Sequence, residues 1–462
     1  MSTMTPVSSP FLQGLMAPVM DERDDRDLEV VGDLPAGLRG MFVRNGPNPQ
    51  FAPAGAYHPF DGDGMVHALY FEDGRVRYRN RWVKSVGLLA ERKRGRSCFG
   101  SLSRFHLPEQ DVIDEAGIMK NNANTHFVRH AGRYLALMEA ARPTEMTRAL
   151  GTVGEFNFAG KLMGPMTAHP KVDPETGEMV FFGYSPVPPY LRYHVADASG
   201  ALVHSVEIDL PVPVMMHDFA MTQRYVVFLD SPAIFDVDAM MRGEPAMRWE
   251  PARGTRLGVL PRRGAGDQIR WFEVDTCNVV HFWNAWDDGD RIEVYAPAFE
   301  RMPGALQFEN PEQTEEPVPW HWSVHLATGT VRTEQIDDRP GEFPRINDER
   351  VGRRHRYMYN SLARDWAFGF NFNGVVKYDT ETGRASQYLH PDTAVVGEHI
   401  FVPDPAGRAE DDGWVLTLSS DRVTERSELV ILDARRLEGG PLARVRIPRR
   451  VPIGFHANWF AQ

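Results

Sequence analysis

Short apolar runs, each closed by a turn-forming residue, recur along the whole chain and leave little room for anything but stacked β-sheets. The stretch His67-Ala68-Leu69-Tyr70-Phe71-Glu72-Asp73-Gly74-Arg75-Val76-Arg77-Tyr78 alternates around Asp-Gly, a strong hairpin signal. Comparable runs are Tyr134-Leu135-Ala136-Leu137-Met138, Met179-Val180-Phe181-Phe182, Arg224-Tyr225-Val226-Val227-Phe228-Leu229, Trp414-Val415-Leu416-Thr417-Leu418 and Leu429-Val430-Ile431-Leu432. Long helical periodicity is scarce, and 40 Gly and 35 Pro fall mostly between the runs, so the chain reads as all-β. Strands also run into Asp173-Pro174-Glu175-Thr176-Gly177 and Asp379-Thr380-Glu381-Thr382-Gly383, with looser versions at Asp197-Ala198-Ser199-Gly200 and Leu326-Ala327-Thr328-Gly329. Any β protein has tight turns with a polar opener and a Gly that takes positive φ. The recurrence also suits the repeated blades of a β-propeller, whose units run roughly 40–50 residues.

Four histidines sit among apolar neighbours: Thr167-Ala168-His169-Pro170, Met215-Met216-His217-Asp218-Phe219, Val279-Val280-His281-Phe282-Trp283 and Gly454-Phe455-His456-Ala457. The last lies six residues from the end of the chain, where ends ordinarily fray, so it is expected to be tied into something. Successive gaps are 48, 64 and 175 residues, about one, one and three blades. Leading strands of successive blades line a central channel, so one histidine per strand would aim four imidazoles at one axis. The reading is convergence on one metal ion. The other histidines of the 16, His126 among them, lie beside polar residues or in turns and read as structural.

Composition narrows the partners. A net charge of −12 and no long basic run argue against nucleic acid. No run of 18 apolar residues suggests a transmembrane helix, and the acidic segment Asp21-Glu22-Arg23-Asp24-Asp25-Arg26-Asp27 argues against a secretory leader. Two cysteines, Cys98 and Cys277, fit buried fillers in a reducing cytoplasm. Residues 1–26 read as an N-terminal extension and 27–462 as a single propeller domain. Phe11, Leu12, Leu15, Met16, Val19 and Met20 supply an apolar face for packing onto the propeller, the commoner use, or for transient membrane contact. Nothing in the sequence sets the oligomeric state.

Eight ordered motifs resemble the carotenoid cleavage oxygenase family, whose members act on carotenoids and apocarotenoids, stilbenes or phenylpropenoids, or isomerise retinoids. They include Phe42-Val43-Arg44-Asn45-Gly46-Pro47-Asn48-Pro49, His58-Pro59-Phe60-Asp61-Gly62-Asp63-Gly64-Met65, Asn122-Ala123-Asn124-Thr125, Glu342-Phe343-Pro344-Arg345, Glu398-His399-Ile400-Phe401-Val402-Pro403 and His456-Ala457-Asn458-Trp459. The resemblance implies a seven-bladed propeller with a helix and loop cap over an axial Fe(2+). It places the four iron histidines at His169, His217, His281 and His456, and three supporting glutamates at Glu139, Glu342 and Glu398. Thr125 matches a threonine near the open coordination position. The implied reaction is cleavage of an alkene C=C bond by O2 into two carbonyl products. Phe60 matches a residue that packs on the substrate ring in stilbene-cleaving relatives. The Tyr and Lys that bind the phenol there correspond to Leu102 and Met138, so the polar handles are gone and a carotenoid or apocarotenoid is the expected substrate. A stilbene or phenylpropenoid is the alternative, since Gly258-Val259-Leu260-Pro261-Arg262-Arg263-Gly264 and Trp82-Val83-Lys84 also resemble isoeugenol-type oxygenases. From a different class, a propeller that only binds a ligand or protein remains an alternative.

Overall fold

The computed structural model describes residues 9–53, 55–303, 316–364 and 371–462. Each expected strand forms, and each pairs antiparallel with its neighbour in sequence, because tight glycine turns leave no length for a crossover. The hairpin at Asp73-Gly74 has both residues at positive φ, 49° and 74°, the geometry that matches strand twist in a two-residue loop. The result is seven consecutive antiparallel meanders. Blade 2 begins with His126–His130, blade 3 with Lys171–Val172, blade 4 with Ala220–Met221 and blade 5 with Asn278–Val279. Blade 6 begins with Gly341–Arg345 and blade 7 with Ile400–Pro403; a bridging strand, Ala394–Val396, joins these two into one ten-stranded sheet.

Blade 1 is assembled from both ends of the chain. Its leading strand is the C-terminal Ala457–Ala461, paired with Gly40–Arg44 from Gly40↔Ala461 to Arg44↔Ala457. The short strand Asp24–Asp25 edges the same blade, and Val30–Gly32 edges blade 7. The ring is therefore closed by hydrogen bonds. Of the N-terminal apolar residues, Val19 packs with Met65, Trp82 and Leu88, whereas Met20 is exposed.

Three of the four glycine turns noted in the sequence join third and fourth strands of blades 3, 5 and 6. The Asp173 turn instead joins the first two strands of blade 3, since the motif marks a tight hairpin and not a phase within the blade. Asp173 also receives Arg262 of blade 4 at 2.6 Å and Arg353 of blade 6 at 3.0 Å. Burial pushes its carboxyl up, but these guanidinium hydrogen bonds and the Glu175 N–H outweigh it and hold the group at about 2. A depressed carboxyl stabilises the fold above its unfolded value of 3.8 and loses that contribution as pH falls toward 2. Asp173→Asn is expected to lower stability at neutral pH and flatten the urea-unfolding midpoint between about pH 4 and 2. An unchanged pH profile would show that these contacts do not couple the blades.

The three described α-helices lie in excursions between strands, and Glu91 of the first and Met240 of the third line one cavity. Helix α1, Val86–Arg94, is capped by Ser85 Oγ accepting the Leu88 N–H and ends at Gly95 with φ 68°. Helix α2, Gln110–Ala116, packs against it, and α3, Val237–Met241, lies in an excursion from blade 4. No described helix is long and apolar enough to cross a membrane. Cys98 is buried, while Cys277 is only partly so, and neither is paired.

Candidate metal centre

Near the leading strand of each blade the chain carries a histidine or a glutamate, just before or at the start of that strand in most blades and just after Asn278–Val279 in blade 5. In ring order these are His126, His169, His217, His281, Glu342, Glu398 and His456, on blades 2 through 7 and then 1. A propeller sets its leading strands around one axis, so residues at this one position meet at one height. His169, His217, His281 and His456 bring one nitrogen each to within 4.8 Å of all the others. The Nε2 atoms of His169 and His217 stand 2.9 Å apart, and those of His217 and His281 3.2 Å apart.

Three carboxylates fix the tautomers. His217 Nδ1–H donates to Glu139 Oε2 at 2.5 Å, His281 Nδ1–H to Glu342 Oε2 at 2.6 Å and His456 Nδ1–H to Glu398 Oε1 at 3.2 Å. With the proton on Nδ1, each Nε2 presents a lone pair to the shared centre. Each glutamate reaches its ring from a different blade. Glu139 follows the second strand of blade 2, Glu342 lies in blade 6, and Glu398 precedes blade 7. Among the described residues no carboxylate hydrogen-bonds the His169 ring.

The electrostatics fit a cation. Burial pushes His281 down to about 3 and holds His169 and His456 well below the ordinary imidazole range. His217 goes the other way, since Glu139 outweighs its burial. Burial pushes the Glu342 carboxyl up to about 8, and its Oε1 is buried without a hydrogen-bond donor. Converging lone pairs, three of them on rings that resist protonation, with carboxylates behind three of the rings, are satisfied by a metal ion. The four-histidine cluster could thus hold one.

Backbone contacts at the chain ends put His456 in this ring. Asn45 N–H donates to the His456 carbonyl at 3.1 Å, Phe455 N–H to the Asn45 carbonyl at 2.9 Å, and Asn45 Nδ2 to the Ala123 carbonyl at 2.8 Å. The approach requires glycine: a Cβ on Gly46 would stand 2.7 Å from Gly454 Cα. The Arg44-Asn45-Gly46 motif is thereby a clasp for the last ligand loop.

Among the remaining predicted residues, Thr125 is half-buried. Its carbonyl accepts the His456 N–H at 3.2 Å, and its hydroxyl donates to Asn124 Oδ1 at 3.1 Å. Phe60 packs edge-on against Phe455 at 5.3 Å and joins an apolar cluster with Met215 and Val280, which neighbour two of the histidines. Leu102 and Met138 line one cavity with Phe99, Phe105 and Met119. Tyr57 and Lys120 share that cavity, but the Lys120 ammonium is held by Asp63 at 2.5 Å and Glu91 at 2.7 Å.

Sequence reasoning set His126 aside, yet it occupies the equivalent position of blade 2. Its ring lies 5.1 Å from that of His456 and 5.7 Å from that of His169. It donates from Nδ1 to the Ala168 carbonyl at 2.8 Å and accepts Asn458 Nδ2 at 2.8 Å, so both nitrogens are used. Arg345 was overlooked as well; it reaches Asn458 at 3.1 Å and Glu398 at 3.7 Å. Both Arg345 and Asn458 lie inside motifs quoted above, a signal that was available.

Fold and site together define a seven-bladed β-propeller with an axial cluster of four histidines that could hold a metal ion. The chain belongs to the RPE65/carotenoid cleavage oxygenase family, whose profile, described as retinal pigment epithelial membrane protein, matches residues 16–461. It is 35% identical to a carotenoid cleavage oxygenase of Mycobacterium tuberculosis, over 98% of this chain and 97% of that protein. It is 34% identical to isoeugenol monooxygenase of Pseudomonas nitroreducens, over 98% of each. The crystal structure of lignostilbene dioxygenase from Pseudomonas brassicacearum matches with a TM-score of 0.91 at 33% identity, over 98% of this chain and 99% of that one.

Proposed function

We propose that this protein is a non-haem Fe(II) oxygenase that cleaves an alkene with O2 into two carbonyl products, with a carotenoid or apocarotenoid as substrate. The observation that carries the reading is the convergence of His169, His217, His281 and His456 within 4.8 Å, with three of the rings oriented by carboxylates. Four imidazoles do not by themselves select a metal. Zinc would close such a site tetrahedrally and has no redox chemistry, whereas iron accepts six ligands and leaves positions free. When bound, ferrous iron supplies the one-electron chemistry that allows O2 to react with a C=C bond.

The protein's part is to hold and to exclude. Glu139, Glu342 and Glu398 lock the imidazole tautomers and lower the local charge of the centre. Thr125, fastened to the His456 backbone, limits access to an open coordination position. Phe60, with Met215 and Val280, forms an apolar wall that positions the alkene and keeps water away. Relatives of this chain include enzymes named for carotenoids, isoeugenol and lignostilbene. Leu102 and Met138 favour the first of these. Both face one cavity, neither offers a hydrogen bond to a phenol, and the lysine present there is already neutralised by two carboxylates. A phenolic alkene is the second reading, favoured by the Tyr57 hydroxyl in the same cavity.

Mass spectrometry of products from the iron-loaded protein, offered an apocarotenal, a hydroxystilbene and a propenylphenol under O2, decides between them. The expected outcome is two carbonyl fragments from the apocarotenal. Introducing Leu102→Tyr with Met138→Lys should move the preference toward the hydroxystilbene by roughly 10-fold or more, the scale of gaining a hydrogen-bonded hydroxyl. Cleavage of the stilbene alone by the unaltered chain would reject the polyene assignment.

A further inference from the structure

Asp218 is the residue after His217, is 4% exposed, and bonds to none of the four imidazoles. Its two oxygens reach three blades. Oδ1 accepts the Phe219 N–H at 2.8 Å and lies 2.8 Å from Lys171 Nζ. Oδ2 accepts the Phe282 N–H at 2.9 Å. Phe282 adjoins His281, and Lys171 stands two residues after His169. One carboxylate thus joins the loops bearing three of the four histidines. Thr167 adds a parallel tie, its hydroxyl donating to the His217 carbonyl at 3.2 Å.

Burying a carboxylate carries a large desolvation cost, and fold stability alone is served as well by an apolar side chain. Neighbouring blades meet largely through side-chain packing, which is non-directional and leaves the spacing of one sheet from the next loosely specified. Directed hydrogen bonds to a shared carboxylate remove that freedom where the Nε2 lone pairs must meet. The glutamates set the rotation of individual rings, whereas Asp218 acts on the distances between the loops that carry them.

We propose that Asp218, with Lys171 as its counter-charge, is a positioning residue that spaces His169, His217 and His281 for the metal and so sets its affinity and coordination geometry. This rests on the metal-centre reading above, and the test separates the two. Metal-free protein is titrated with Co2+, and both affinity, by chelator competition, and the visible d–d absorption of the bound ion are recorded.

For Asp218→Ala the affinity should fall roughly 10–100-fold, the scale of lost outer-shell support, and the d–d bands should shift. Asp218→Asn keeps one carbonyl acceptor and should lie between. Lys171→Met leaves both backbone bonds in place and should change the affinity least. Should Asp218→Ala not fold, judged by far-ultraviolet circular dichroism, Asp218→Asn carries the same comparison. A folded variant with lower thermal stability but unaltered Co2+ affinity and spectrum would reduce Asp218 to a structural residue and overturn the inference. If the unaltered chain itself bound no Co2+, the metal centre would fall first, and this inference with it.

Discussion

Replacing His281 by Ala is expected to abolish alkene cleavage and metal retention while leaving the propeller folded. The side chain supplies one of four nitrogens within 4.8 Å and is, among the described residues, the one ring that hydrogen-bonds Glu342 Oε2. Loss of outer-shell support alone costs roughly 10–100-fold in metal affinity, so loss of a direct ligand should exceed that. The Glu342 carboxyl, already pushed up to about 8 by burial, would also lose its ring donor. His355 is the matched control. It is also buried, 2% exposed against 7% for His281, and burial likewise pushes it down to about 3, but it packs on Trp286 and Tyr295 away from the cluster. His355→Ala should lower the melting temperature and keep full metal content. Metal analysis of both variants separates a ligand from a core histidine. Equal metal content in His281→Ala and the unaltered chain would refute the assignment.

Ending the chain at His456 is the second large effect. The last strand, Ala457–Ala461, forms the whole hydrogen-bonded ladder that closes blade 1. Without it, the edge of Gly40–Arg44 lies open, a template for association with other chains. Trp459 would no longer pack on Phe71 at 5.4 Å, nor Phe460 on Tyr134 at 5.5 Å. Each partly buried aromatic contributes about 2 kcal/mol, a large share of the roughly 5–15 kcal/mol of a whole fold. The truncation also removes Asn458, which holds His126 against the ligand ring. The expected result is aggregation on expression, or a melting temperature lower by roughly 5–10 °C or more with metal lost. A soluble truncation with normal melting temperature and metal content would mean that the ring closes by other contacts.

Much of this site could be read before any coordinates. The histidine gaps of 48, 64 and 175 residues match blades 3, 4 and 5 and then three further steps to blade 1. That inference worked because a propeller turns separation along the chain into rotation about an axis. His126 reads as structural from the sequence and is so in the fold, outside the four-nitrogen cluster with both ring nitrogens hydrogen-bonded, although its polar neighbours Asn124 and Thr125 suggest a surface turn. Asn124 is in fact inside: its Nδ2 bonds the carbonyls of Phe60 and Gly62, and it is 2% exposed. Polarity in the sequence reports exposure only when no buried partner exists, and the partner was 62 residues away.

What the amino acids alone determined was the strand content, the glycine-turned hairpins and the choice of four apolar-flanked histidines, because each depends on neighbours within a few positions. Resemblance added the glutamates and the blade number. Only the tertiary structure decided how the ring closes, which oxygen of which glutamate faces which imidazole, and that Asp218 spans three loops. Those are relations between blades, fixed by side-chain directions and hydrogen bonds over long separations, and local pattern carries no record of them.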